Sequence, residues 1–167
     1  MEPATRDNVA LLVRWSLDPV ANGPYKKGPA LSPAQMRERI LTSVDRQYFM
    51  IRQRDTGQPL GRFYWRAWKP GPTAERVDYE LNPMIADPTN RGRGFGSDAQ
   101  RAAVMHLLAQ PETASVFALT HLDNAAERKA LENAGLAAAG ALPNDRYPVP
   151  EPGIPCVLYA VAAAARA

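Results

Sequence analysis

Eight residues, Asn90–Ser97 (NRGRGFGS), are the part of this sequence best suited to hold a ligand. Glycines at 92, 94 and 96 let the backbone turn tightly and bring its N–H groups close to a bound group. A helical pattern follows directly, so a helix N-terminus adds further amides, and together they make a cradle for phosphate oxygens. Arg91 and Arg93 supply cations for the same anions. By its chemistry the loop is a pyrophosphate site built from Arg91, Gly92, Arg93, Gly94, Phe95, Gly96 and Ser97. Serine at position 97 breaks the GxGxxG fingerprint of dinucleotide-binding loops, and the Gly-Lys-Ser/Thr of a Walker loop is absent.

The other reactive groups are scattered. His106 and His121 lie far apart in the chain and Cys156 is the single cysteine, so no metal-ligand cluster and no disulfide framework is visible. Cys156 has no histidine nearby in sequence and is expected to be a small buried residue. Two carboxylates, Asp78 and Glu80, share a strand face just before the glycine loop.

These residues need elements to position them. Residues 9–13 (VALLV) are expected to form a strand, and Asp18–Pro33 a long exposed loop. Ser32 caps a helix with Pro33 at its first position, running to about Val44 with Met36, Ile40 and Leu41 inward. Gln47–Arg54 and Leu60–Trp68 form a hairpin around DTGQP, and a second turn, KPGPT, follows. Val77–Ala86 is a strand interrupted by Pro83, which demands an edge, a bulge or a splayed ladder. A helix from about Gly96 to Ala109 places Ala99, Ala103, Val104, Leu107 and Leu108 on one face. Ser115–Thr120 is a strand, Asn124–Ala134 a helix stopped by Gly135, and Val157–Val161 the last strand. The order β-α-β-β-β-α-β-α-β is a mixed α/β pattern.

Arg91, Gly94 and Gly96 also fill the pattern Arg/Gln-x-x-Gly-x-Gly/Ala, and here the sequence resembles the GNAT superfamily of N-acetyltransferases. IADPTNRGRGFGSDA is similar to that family's GDPxxRGKGYGTEA stretch without a gap. NAAERKALENAGL resembles its NxxSxxxxEKxGF helix, with Asn124, Glu132 and Gly135 kept. The opening LLVRWSLDP and the closing VLYAV resemble the ends of RimJ/RimL-type members. The likeness covers nearly the whole chain and is most specific between residues 80 and 136.

The resemblance implies a mixed α/β (α+β) GNAT-type fold, with a central, mostly antiparallel mixed sheet flanked by helices and splayed between two central strands. It implies one domain over residues 1–167: an acceptor side (1–75), an acetyl-CoA side (76–140) and C-terminal strands (141–167). The implied activity is transfer of an acetyl group from acetyl-CoA, as co-substrate and without a metal, to a primary amine that attacks the thioester directly. The glycine loop would hold the pyrophosphate of acetyl-CoA, and Met84, Ile85 and Ala86 would line its pantetheine arm through their main chain. Asn124 would bond strand carbonyls or the pantetheine while capping its helix.

Glu80 matches the position of a catalytic glutamate in GNAT histone acetyltransferases and is the implied base for the acceptor ammonium, with Asp78 as first substitute. The sequence departs from the pattern at Glu127, where the family has serine, and at Leu131, where it often has the tyrosine that protonates the leaving thiolate. Tyr159 and Tyr147 are the phenols that could stand in for it, Tyr159 in a strand where the family often has one. They are acid or packing. His121, before Asn124, is base, acid or surface histidine.

Charge narrows the acceptor. Residues 1–75 hold 12 Lys/Arg against 7 Asp/Glu, whereas residues 76–167 hold 8 against 10. Lys26–Lys27 is the longest basic run, which argues against nucleic acid as the main ligand. Alternation in RFYWRAW puts Arg62, Tyr64, Arg66 and Trp68 on one face, suited to a flat or anionic acceptor such as an amino acid. A polycationic aminoglycoside fits that charge poorly. The implied partner is a small-molecule amine or a peptide N-terminus. A homodimer is compatible with the sequence without being required by it. No apolar run reaches the ~20 residues of a membrane span and the N-terminus lacks a signal h-region, so a cytoplasmic protein is expected. Two rival readings stay open: a catalytically lost acyl-CoA-binding module, and transfer of a longer acyl group.

Overall fold

Helix α1 (Val9–Leu17) occupies the segment expected to begin with a strand. Val9, Leu12, Val13 and Ser16 recur at helical spacing and are buried, while Arg14 is exposed. Five apolar residues in a row carry no period of their own. The helical period emerges only when Trp15, Ser16 and Leu17 are counted with them. In this computed structural model the described residues are 1–26, 28–69, 75–140 and 155–164. The turn expected at KPGPT falls mainly outside them, as does Tyr147.

The chain folds as two compact units, residues 1–66 with 82–99, and the described residues of 67–81 with 100–167. In the first unit, Asp18 caps the short helix α2 (Pro19–Asn22), accepting from the Val20 amide with proline at the first helical position. This helix interrupts the expected loop. Helix α3 (Pro33–Thr42) begins in a capping box between Ser32 and Gln35. Its inner face is Met36 and Ile40. Leu41 is exposed, contrary to expectation, because the helix stops at Thr42 and packs on α1 through one narrow stripe.

Strand β1 (Glu2–Pro3) pairs antiparallel with β2 (Arg46–Arg52), and β2 pairs antiparallel with β3 (Pro59–Trp68), as expected for a hairpin. Tyr48, Met50, Met84 and Ala86 join Val9, Leu12, Trp15, Met36 and Ile40 in this unit's core. At Gly61 an added Cβ would stand 2.0 Å from the Met84 carbonyl oxygen, so only glycine permits that approach.

Strand β4 (Val77–Ile85) starts in the second unit, where Val77–Glu80 runs parallel to β5 (Thr113–His121). That ladder ends with Glu80 opposite Phe117, while β4 continues through Pro83 to Ile85 and β5 to His121. The parting lies where a residue without an N–H interrupts the strand. The whole of β5 from Ser115 pairs antiparallel with β7 (Cys156–Ala162), which also pairs with the short β6 (Ala137–Ala138). Helix α4 (Phe95–Leu108) buries Ala99, Ala103, Val104 and Leu107, and Leu108 is half-buried. Helix α5 (Ala125–Asn133) is capped by Asn124 and followed by Gly135 at φ 95°. The seven strands form one mixed sheet in the order β1-β2-β3-β4-β5-β7-β6.

Candidate active site

The glycine loop leaves β4 through a short 3-10 turn, Pro88–Asn90. Asp87 caps that turn by accepting from the Thr89 amide at 2.8 Å and its hydroxyl at 2.7 Å. Those two bonds favour the carboxylate and hold its pKa below the usual range. Gly92 and Gly94 adopt φ of 71° and 88°, with open space where a Cβ would stand. Gly96 has no such demand, and a Cβ there would rest at ordinary contact distance from Ile85. Asp98 donates its amide to the Gly94 carbonyl, so α4 starts at the loop. The opening amides at Phe95 and Gly96 have no carbonyl one turn earlier within the helix. Left-handed glycines before the free amides of a helix N-terminus are the kind of backbone that attracts anions such as phosphate.

The two arginines of this loop have different partners. Arg91 donates through Nε to the Ile85 carbonyl at 3.1 Å, and through Nη2 to the Val20, Ala21 and Ala86 carbonyls. Its guanidinium ties the loop to α2 and to the end of β4. Arg93 donates to Asn90 Oδ1 at 3.0 Å and lies 5.3 Å from the Phe95 ring centroid. The Ala86 amide donates to the Leu60 carbonyl at 3.0 Å. Met84 and Ala86 are buried, Ile85 and Ser97 half-buried. Lys26, from the Asp18–Pro33 segment, donates to Asn82 Oδ1 at 3.0 Å and to the Pro83 carbonyl at 2.6 Å. A side chain thus takes up strand polarity around the proline.

In the second unit Glu80 is half-buried, and its Oε2 accepts from the Trp68 indole at 3.0 Å. Trp68 packs with Leu119 and Ala160 against Phe117 and Leu158. One carboxylate oxygen of Glu80 is thus fixed in orientation by an indole N–H beside an apolar cluster. Asp78, its expected substitute, is 3% exposed and accepts from the Ser115 hydroxyl at 2.6 Å. It braces β4 against β5.

Tyr159 is 1% exposed; its hydroxyl accepts from Arg128 Nε and donates to Glu132 Oε1, each at 3.2 Å. The phenol beside Arg128 holds that guanidinium's pKa above its ordinary value. His121 ends β5 opposite Cys156, and its carbonyl accepts from the Asn124 amide. Both side chains are half-buried. The Asn124 side chain accepts from the Glu127 amide at 3.2 Å, so its capping role is visible in the fold. Glu127 accepts from Gln100 Nε2 at 2.8 Å, joining α5 to α4. Leu131 is fully buried and serves as core.

The hairpin face differs from a solvated aromatic–cationic surface. Phe63 and Trp65 are buried with Phe49 in a ring cluster. Arg66 pairs with Asp45 at 3.1 Å, and Asp45 also pairs with Arg46 at 3.0 Å. Arg62 is 5% exposed, and its Nε and Nη1 have no hydrogen-bond partner. Burial pushes its pKa down. Alternation placed Arg62 and Trp68 on one face, but gave no signal for the burial of the first or the Glu80 contact of the second. Among the described residues, no group of three or more His, Cys, Asp or Glu side chains stands ready to hold a metal.

The acetyltransferase (GNAT) domain family matches residues 1–137. The chain belongs to that family and is an acyltransferase. A search of curated proteins finds no significant match. Among solved structures the chain resembles AAC(6')-Ib in complex with acetyl-CoA, at 20% identity and TM-score 0.74, covering 96% of this chain and 91% of that one. It also resembles a putative phosphinothricin N-acetyltransferase, at 15% identity and TM-score 0.72, covering 98% of each chain. A spermidine N-acetyltransferase chimera involving the Vibrio cholerae enzyme aligns at 12% identity and TM-score 0.70, over 97% of this chain and 95% of that one. At these identities the likeness speaks for the fold.

Proposed function

We propose that this acyltransferase moves the acetyl group of acetyl-CoA to the primary amine of a small metabolite or amino-acid-like molecule or of a protein N-terminus, and that it belongs to the RimJ/RimL-like branch of its family. The observation that carries the reading is the loop in which Gly92 and Gly94, both left-handed, lead into the N-terminus of α4. Bound there, acetyl-CoA supplies an activated acyl carbonyl and a thiolate leaving group. Gly92, Arg93, Gly94, Phe95, Gly96 and Ser97 hold its diphosphate, while Arg91 keeps their loop in shape. Met84, Ile85 and Ala86 line the pantetheine through their main chain, and residues 1–75 supply the acceptor side.

Glu80 removes the proton that the acceptor ammonium must lose, with the Trp68 indole fixing the orientation of the carboxylate. Tyr159 serves the core, its hydroxyl engaged by Arg128 and Glu132, and a water can protonate the departing thiolate. His121 is left as a flanking group. An acyl-CoA-binding module without turnover is the second reading, favoured by Leu131 filling the core where relatives often carry an acid.

Titration calorimetry with acetyl-CoA on wild type and Gly94→Trp tests the cradle, with thiol release measured across a panel of amines. Micromolar binding abolished in Gly94→Trp is expected, together with thiol release by at least one amine. Binding without release by any amine favours the second reading. No binding removes the cofactor assignment.

A further inference from the structure

Arg62 is a cation enclosed in the first unit without an anion to match it. Its electrostatic neighbours are Tyr64 and Tyr48, whose ring centroids lie 4.9 and 6.0 Å from the guanidinium carbon. Nη2 lies 4.0 Å from the Met84 sulfur, a weak acceptor, and the Tyr64 side chain is within hydrogen-bonding reach of the guanidinium, while Nε and Nη1 have no partner. The carboxylate of Asp45 is already held by Arg46 and Arg66. Two aromatic faces offset part of the cost of enclosing a charge, but Nε and Nη1 stay unsatisfied. Arginine does not escape by losing its proton, so the imbalance persists in the ligand-free protein.

We infer that Arg62 binds the carboxylate of the acceptor, so that the amines acetylated are amino acids or analogues carrying a carboxylate next to the amine. This rests on the acetyl-transfer reading and narrows its acceptor. A carboxylate suits the place: it is planar, singly charged and able to accept from the unpartnered Nε or Nη1. Met84, which Arg62 touches, belongs to the segment assigned to the pantetheine. An α-amino acid carries its carboxylate one carbon from the attacking nitrogen. Tyr64 is only half-buried, and its ring is the part of this enclosure that an incoming acceptor moves aside.

The test uses matched pairs: L-phenylalanine with phenethylamine, and L-tyrosine with tyramine, followed by thiol release from acetyl-CoA. Wild type is expected to prefer the amino acid by about 100-fold in kcat/KM. Arg62→Met should erase that preference by raising KM for the amino acid, leaving the carboxylate-free amine within about threefold and acetyl-CoA affinity unchanged. Arg62→Lys should restore part of it. Equal handling of both members by wild type, or an equal loss for both in Arg62→Met, overturns the inference.

A second measurement needs neither turnover nor a variant: the melting temperature of wild type with 3-phenylpropanoate or with 3-phenylpropanol. The carboxylate alone should raise it. A rise with both or with neither overturns the inference. Stabilisation by the carboxylate in a protein that fails to bind acetyl-CoA would remove the transfer reading and leave the anion site standing.

Discussion

The side chains around Glu80 divide between chemistry and support. Glu80→Gln keeps the size and the contact with Trp68 but removes the base, so kcat should fall about 100-fold or more while acetyl-CoA affinity holds. Stopped-flow thiol release beside calorimetry checks both halves. Trp68→Phe keeps a ring against Phe117 and Leu158 but removes the indole donor. A hydrogen bond to a charged group is worth about 1.5–3 kcal/mol, so a drop of about tenfold in kcat is expected, with acceptor KM unchanged. A rise in KM with kcat intact would make Trp68 an acceptor-binding residue instead. Asp78→Asn is a different kind of change: it disturbs a buried bond to Ser115 and should lower the melting temperature.

At the scale of elements, two glycines act for different reasons. Gly94 is required by its positive φ, and Gly94→Ala puts about 1–2 kcal/mol of left-handed strain into the loop. Acetyl-CoA affinity should weaken by about tenfold, measured by calorimetry. Gly61 is required by closeness: a methyl group would meet the Met84 carbonyl at 2.0 Å. Gly61→Ala forces β3 and β4 apart locally, at a cost of about 1–3 kcal/mol, and should lower the melting temperature by several degrees.

The cap at Asp87 adds a pH dependence. Its pKa is lowered by the Thr89 bonds, so its contribution is complete above the ordinary carboxylate value of about 4 and is lost as pH falls through the lowered value. Asp87→Ala should remove that acid dependence from loop order, read by hydrogen exchange of the residue 88–94 amides.

For the whole molecule, binding couples to stability. At about 100 times its dissociation constant, acetyl-CoA should add about 2.7 kcal/mol to the unfolding free energy. For a chain of 167 residues that is a rise in melting temperature of about 5–10 °C by calorimetric scan. No rise would mean that the chain does not hold the nucleotide in its folded state. No helix among the described residues is long and apolar enough to cross a membrane.

The glycine loop, the helices after it and the hairpin were legible from the sequence, because each is a local pattern. A capping residue, a proline or a glycine limits the backbone within a few residues of itself, as Ser32, Pro33 and Gly135 do here. The family itself was legible for the same reason, through a loop and a helix of fixed spacing.

Tertiary structure decided the rest. The start of helix α1 reads as a strand from VALLV alone because five apolar residues in a row carry no period, and packing against α3 and β2 selects the helix. The loop sequence suits Arg91 to phosphate but gives no sign of the three carbonyls of the first unit to which its Nη2 donates. Alternation assigns Arg62 and Trp68 to one acceptor-facing side, but Arg62 is enclosed and Trp68 donates to the candidate base. Charge, burial and hydrogen bonding at those positions depend on partners far away in sequence. A local pattern limits what one stretch of backbone can do, while a side chain's partner is chosen only when distant stretches meet.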